Sequence, residues 1–140
     1  MPKKLQKMDI REVALKVRTG VDAMQSDDLG LLALLGFFHR TLLQLVQKLQ
    51  IPMDIEVLNS VVTNYIQHNK NLEGFGEFGR VWNRLEGYSI VEICDYFNQF
   101  LNSTDNLVEL MYFFGFTQGI LNRIMRKLGI DHQIPPPFSL

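Results

Sequence analysis

The chain predicts an all-α fold of five to six helices, built as a helical bundle or a short stack of helical hairpins. Apolar residues recur at spacings of three and four over most of its 140 residues. Strand signals are weak, with no Asn-Gly or Asp-Gly turn and little period-two alternation. Residues 27–51 and 106–130 also align without a gap. Leu31 meets Leu110, Gly36-Phe37 meets Gly115-Phe116, Leu42 meets Leu121, Lys48-Leu49 meets Lys127-Leu128 and Ile51 meets Ile130. Internal similarity of this kind marks duplicated or repeated helical architectures.

The first helix is expected from Ile10 to Gln25, with Asp9 as N-cap and Glu12 completing a capping box. A second runs from Asp27 to Gln50 behind Ser26. Pro52 suits a first helical turn, and Asp54 and Glu56 suit the positive end of a helix dipole. The third helix, to His68, places Ile55, Leu58, Val61, Val62 and Ile66 on one face. Residues 69–79 are the least regular, with Gly74, Gly76 and Gly79 among two phenylalanines. A short helix from Gly79 to Glu86 is expected to stop at Gly87. Ser89 and Glu92 form a second capping box before a helix from Ile90 to Asn102. The last helix is expected from Asp105 to Leu128, capped near Ser103-Thr104, with Gly129 just past its end.

The similarity extends backwards, because Asp9-Ile10-x-Glu12-Val13 matches Ser89-Ile90-x-Glu92-Ile93. Residues 9–51 and 89–130 therefore read as two hairpins, each a shorter amphipathic helix followed by a longer apolar one. Residues 52–87 read as an eroded third, at roughly 40 residues per unit, near the length of HEAT-type repeats. Shared Leu-rich helical composition is the alternative to true duplication. Residues 1–130 are expected to form a single domain and residues 131–140 a Pro-rich extended tail.

The two long helices are apolar on every side from Leu29 to Phe38 and from Leu107 to Phe116. Such helices must be surrounded, by their own core or by another chain. Gly36 and Gly115 inside them point to a close crossing at these glycines. The apolar run ending at His39-Arg40 is shorter than the roughly 20 residues of a bilayer span, so no membrane span is expected.

A single cysteine, Cys94, allows no intrachain disulfide and suits a reducing, cytoplasmic compartment. Cys94 reads as a small buried hydrophobe. No His, Cys or carboxylate spacing fits a metal, since His39, His68 and His132 stand apart. No cofactor motif is present. Gly74-Phe75-Gly76-Glu77-Phe78-Gly79 lacks the Lys-Ser/Thr ending of a phosphate loop and follows no strand. Asp27-Asp28 and Glu73 with Glu77 are not placed in one cleft by any pattern.

The expected function is accordingly a non-enzymatic protein–protein interaction module, an adaptor, regulator or chaperone-like subunit that uses apolar helix grooves and self-associates. Its expected contact residues are Phe75, Phe78, Arg80, Trp82 and Arg84 around the irregular loop, with Phe138 in the tail. Ile134, Phe138 and Leu140 are the tail's apolar docking residues. One alternative is a binder or sensor that encloses a small apolar ligand in its Phe- and Met-rich interior. Another is a nucleic-acid-associated regulator. Residues 1–18 carry six cations against two acids, a charge of +4, while the whole chain is -1. If helical throughout, this basic arm places Lys4, Lys7, Arg11 and Arg18 along one side. An enzyme of an unrecognised helical type ranks last.

Overall fold

The structure is a computed structural model that describes residues 4–25, 29–69, 84–132 and 134. It is all-α, with five helices and one two-stranded sheet among the described residues. A short 3-10 turn, Leu5–Lys7, precedes α1, Ile10–Ala23. Then come α2, Leu29–Leu49, and α3, Glu56–Asn69. A small hairpin, β1 at Arg84–Leu85 and β2 at Tyr88–Ser89, leads into α4, Ile90–Ser103, and α5, Leu107–Lys127.

The two copies adopt matching elements. α1 and α4 each have 14 residues, and α2 and α5 each have 21. Asp9 and Ser89 are the N-caps of the short helices, as their sequence match predicts, and the Ser89 hydroxyl accepts from the Glu92 N–H at 3.1 Å. The long helices end in the same motif. The Ile51 N–H donates to the Val46 carbonyl at 3.0 Å, and the Ile130 N–H to the Met125 carbonyl at 2.8 Å. Between them Gln50 and Gly129 take positive φ of 54° and 78°, the left-handed step of a Schellman ending. Even the next turn repeats, from Met53 N–H to Ile51 and from His132 N–H to Ile130.

The copies are not self-contained hairpins, however. Among the described elements, the most extensive packing joins α2 to α5. Each short helix then packs on the long helix of the other copy, α1 on α5 and α4 on α2. The expectation that consecutive helices pair is corrected by a physical requirement. Two helices apolar all round must first cover each other, and each then needs a second cover on its far side. Four rings fill the junction. Phe97 of α4 stacks on Phe113 and Phe116 of α5 at 5.3 and 5.6 Å, and Phe38 of α2 meets Phe97 and Phe116 edge-on at 5.7 and 5.8 Å.

Two equivalent lysines brace this exchange. Lys48 at the end of α2 donates to the Leu101 and Thr104 carbonyls at the end of α4, at 2.6 and 3.3 Å. Lys127 at the end of α5 donates to the Asp22 and Met24 carbonyls at the end of α1. A cation there satisfies carbonyls that have no intrahelical partner and meets the negative end of the dipole.

Several helix starts differ from expectation. α3 begins at Glu56, not at Pro52, because the Asp54 carboxylate accepts from the Glu56 N–H at 3.0 Å and sets the first turn there. α5 begins after Asn106, whose side chain accepts from the Glu109 N–H at 3.1 Å, rather than at Ser103-Thr104. The Ser26 cap lies outside the described residues.

Residues 84–89 form a hairpin where a helix ending at Gly87 was expected. Glu86 and Gly87 both take positive φ, 53° and 89°, the requirement of a two-residue type I′ turn. Gly87 is a turn glycine, not a helix stop. The hairpin is held by Leu85, buried against Gly20 of α1, where an added Cβ would lie 2.5 Å from Leu85 Cδ2.

That contact also relocates the close approach expected at Gly36 and Gly115. A Cβ at Gly36 would make an ordinary 3.6 Å contact with Ile66, and one at Gly115 would meet no described residue within 4 Å. Bulky side chains hold the α2–α5 crossing apart instead. By length and composition alone, Gly30–Leu49 could cross a membrane, because the helix continues apolar past His39-Arg40. In this fold it is the central helix, and 56% of its 18-residue apolar window is buried.

Gly36→Ala is expected to stabilise the protein by up to about 1 kcal/mol through helix propensity. Gly20→Ala is expected to destabilise it by about 1–3 kcal/mol through overpacking against Leu85. Urea denaturation midpoints check both. Lys48→Met and Lys127→Met should each lose about 1–3 kcal/mol, since each removes charge-assisted hydrogen bonds to helix-end carbonyls. Near-equal losses are the outcome that matching roles require.

Candidate functional site

Equivalent positions of α2 and α5 are covered differently. Leu32 and Phe37 of α2 are 3% and 6% exposed, whereas their counterparts Met111 and Phe116 of α5 are only partly buried. α3 lies on α2, with Ile66 against Gly36 and Asn59 Oδ1 2.7 Å from His39 Nε2. At the matching face of α5, among the described residues, a groove of about 490 Å³ opens between α5 and α1.

The groove is lined by Ala14, Leu15, Met111, Tyr112, Gly115 and Phe116, with Arg11 and Arg18 on its rim. Leu15 is 55% exposed, and Leu107 and Val108, on the first turn of α5, are 64% and 70% exposed. Arg11 is held in place by the Glu109 carboxylate at 3.1 Å, and its guanidinium lies 4.6 Å from the centre of the Tyr112 ring. That hydrogen bond, and then the charge of Glu109, raises the Arg11 pKa further. The groove thus has an apolar floor and a fixed cationic edge.

The chain leaving α5 returns towards the same helix. Ile134 is buried in the core cluster, and the Asn122 side chain clamps both of its backbone groups. The Ile134 N–H donates to Asn122 Oδ1 at 2.8 Å, and Asn122 Nδ2 donates to the Ile134 carbonyl at 3.1 Å. Ile134 therefore docks on its own subunit.

Of the predicted contact residues, Phe75, Phe78, Arg80, Trp82 and Phe138 lie outside the described residues. Arg84 is exposed on β1 and donates to the Gly87 carbonyl at 3.0 Å. It lines a separate polar groove with Lys4, Tyr88, Glu92, Asp95 and Tyr96. The basic arm is not one face. Lys4 and Lys7 flank and end the 3-10 turn, whereas Arg11 and Arg18 are on α1 and rim the α1–α5 groove. The continuous basic helix fails because α1 begins only at Ile10, behind its Asp9 cap. Met111 stands out in the sequence only as the counterpart of Leu32, and Leu15 and Tyr112 belong to no motif. Leu15 carried a signal, being a leucine off the buried α1 stripe of Ile10, Val13, Ala14, Val17 and Val21.

No group of three His, Cys, Asp or Glu residues among the described ones is placed to hold a metal ion. Burial, with help from the Asp95 carboxylate, pushes the Cys94 thiol up to about 12. Tyr96, whose hydroxyl donates to the Met8 carbonyl at 2.7 Å, is likewise pushed up to about 12, chiefly by burial. Comparison with known families, with characterised proteins and with solved structures finds no match for this chain.

Both raised pKa values mean that the fold favours the protonated thiol and phenol. Their contribution to stability is complete below the ordinary values of 9.0 and 10.0 and is lost as pH rises towards about 12. Melting temperature is expected to decline across that alkaline range, and less steeply in Cys94→Ala. Thermal melts monitored by circular dichroism check this.

Proposed function

We propose that this chain is a non-enzymatic protein–protein interaction module whose docking surface is the α1–α5 groove with the adjoining start of α5. The supporting observation is the unequal covering of two equivalent helices. α2 has α3 on its Gly36 face, and α5 has nothing comparable on its Gly115 face among the described residues. A seat that holds an amphipathic helix on one copy is open on the other, and amphipathic helices commonly dock in such apolar grooves. The exposed Leu15, Leu107 and Val108 supply the apolar contacts, and Arg18 on the rim favours a partner segment with an acidic flank. The first partner is a second copy of the chain, because soluble oligomers are mostly homo-oligomers.

Sedimentation velocity over the micromolar range tests this reading. Wild type is expected to self-associate, and Leu15→Glu combined with Val108→Glu is expected to sediment as a monomer with unchanged helix content, since both side chains are exposed. A wild type that remains monomeric, or a variant that associates equally well, defeats self-association through this face. The groove volume also falls in the range of small-ligand sites, roughly 300–1,000 Å³. A small molecule retained in native mass spectrometry, together with a strict monomer, would favour the apolar-ligand reading.

A further inference from the structure

The face with the α1–α5 groove carries two strips of complementary chemistry. Five large apolar side chains are strongly exposed among the described residues, and three of them, Leu15, Leu107 and Val108, lie on α1 and at the start of α5. Val108 shares the groove's stripe of α5, one turn before Met111 and Tyr112. On α1, Leu15 is followed one turn later by Arg18 on the groove rim. At the start of α5 the charge comes first, with the exposed Asp105 ahead of Leu107 and Val108. Glu109, just beyond them, is already engaged by Arg11. Each strip thus joins apolar side chains to a charge about one turn away, cationic on α1 and anionic at α5.

The two strips do not meet within one subunit. α1 and α5 run parallel, since Arg11 pairs with Glu109 near both starts and Arg123 with Asp22 near both ends. Arg18 therefore stands about 10.5 Å past the level of Arg11 and Glu109 at the helical rise. Asp105 precedes that level, on the opposite side. Neither Arg18 nor Asp105 has an ion pair among the described residues. A second copy supplies to each strip what its own subunit does not. We infer that two copies pair about a twofold axis, with Leu15 and Arg18 of each seated on residues 105–108 of the other. Leu15 covers Leu107 and Val108, and Arg18 stands beside Asp105. A twofold contact is isologous, so this exchange is made twice. The charges fix the register of an apolar contact that by itself has no preferred direction. The inference rests on this face being a docking surface and names the segment that it takes.

Charge reversal in the full-length chain tests the arrangement. Arg18→Glu and Asp105→Lys are made singly and together, and dimer dissociation constants are measured by sedimentation. Both side chains are exposed, so helix content by circular dichroism is expected to stay at the wild-type level. Each single variant places like charges together twice and is expected to weaken the dimer about tenfold or more. An equimolar mixture of the two single variants is expected to recover wild-type affinity to within about threefold. In that mixed dimer one contact is the native Arg18–Asp105 pair, and the other joins the two introduced charges. The double variant is expected to recover likewise. A wild-type dimer that the single variants leave intact, or a mixture that shows no recovery, overturns the arrangement. If Leu15→Glu with Val108→Glu still abolishes that dimer, the groove face survives as the docking surface. A wild type that stays monomeric overturns self-association through this face and the inference with it.

Discussion

The crossing of α2 with α5 is the constraint from which the other contacts follow. Both helices carry apolar side chains around most of their circumference, and neither can be solvated along its length. Each packs more extensively on the other than any other pair of described elements does, and Leu31, Leu34, Leu35, Phe38, Leu110, Phe113 and Phe114 are all at most 4% exposed. A crossing that brings phenylalanines together leaves no room for a glycine contact. The ring cluster of Phe38, Phe97, Phe113 and Phe116 therefore sets the spacing, and Gly36 and Gly115 are left on outer faces.

Once α2 and α5 occupy the centre, each short helix covers the partner's long helix rather than its own. Lys48 and Lys127 then stand beside the carbonyl ends of α4 and α1 and close both. Longer-range pairs add to the bracing, including Arg123 with Asp22 at 3.3 Å and Arg11 with Glu109. Exposed pairs of this kind contribute little individually. The lysine caps matter more, because they satisfy backbone carbonyls that helix geometry leaves without partners.

The molecule departs from its internal symmetry on one side. α3 covers the outer face of α2, while the outer face of α5 carries a groove, a cationic edge and exposed apolar residues at its start. The chain after each long helix makes the same turn and then diverges in composition, into the amphipathic α3 in one case and into Ile134 and three prolines in the other. The surface proposed for partners lies at this break in symmetry.

The amino-acid sequence by itself determined the helical class, the caps at Asp9 and Ser89, and the alignment of residues 27–51 with 106–130 that pairs Lys48 with Lys127. These depend on local spacing and on residue chemistry within one or two turns. It did not reveal the exchange of short helices, which depends on surfaces that meet far apart in the chain, 53 residues apart for Lys48 with Leu101 and 103 for Lys127 with Met24. Nor could it distinguish Gly87 as a turn glycine from Gly87 as a helix stop, because both roles need positive φ. Gly20, tight against Leu85, and Leu15, open to solvent, sit on the same helix. Only the tertiary structure separates them, since burial is a property of the neighbours that the fold supplies and not of the residue itself.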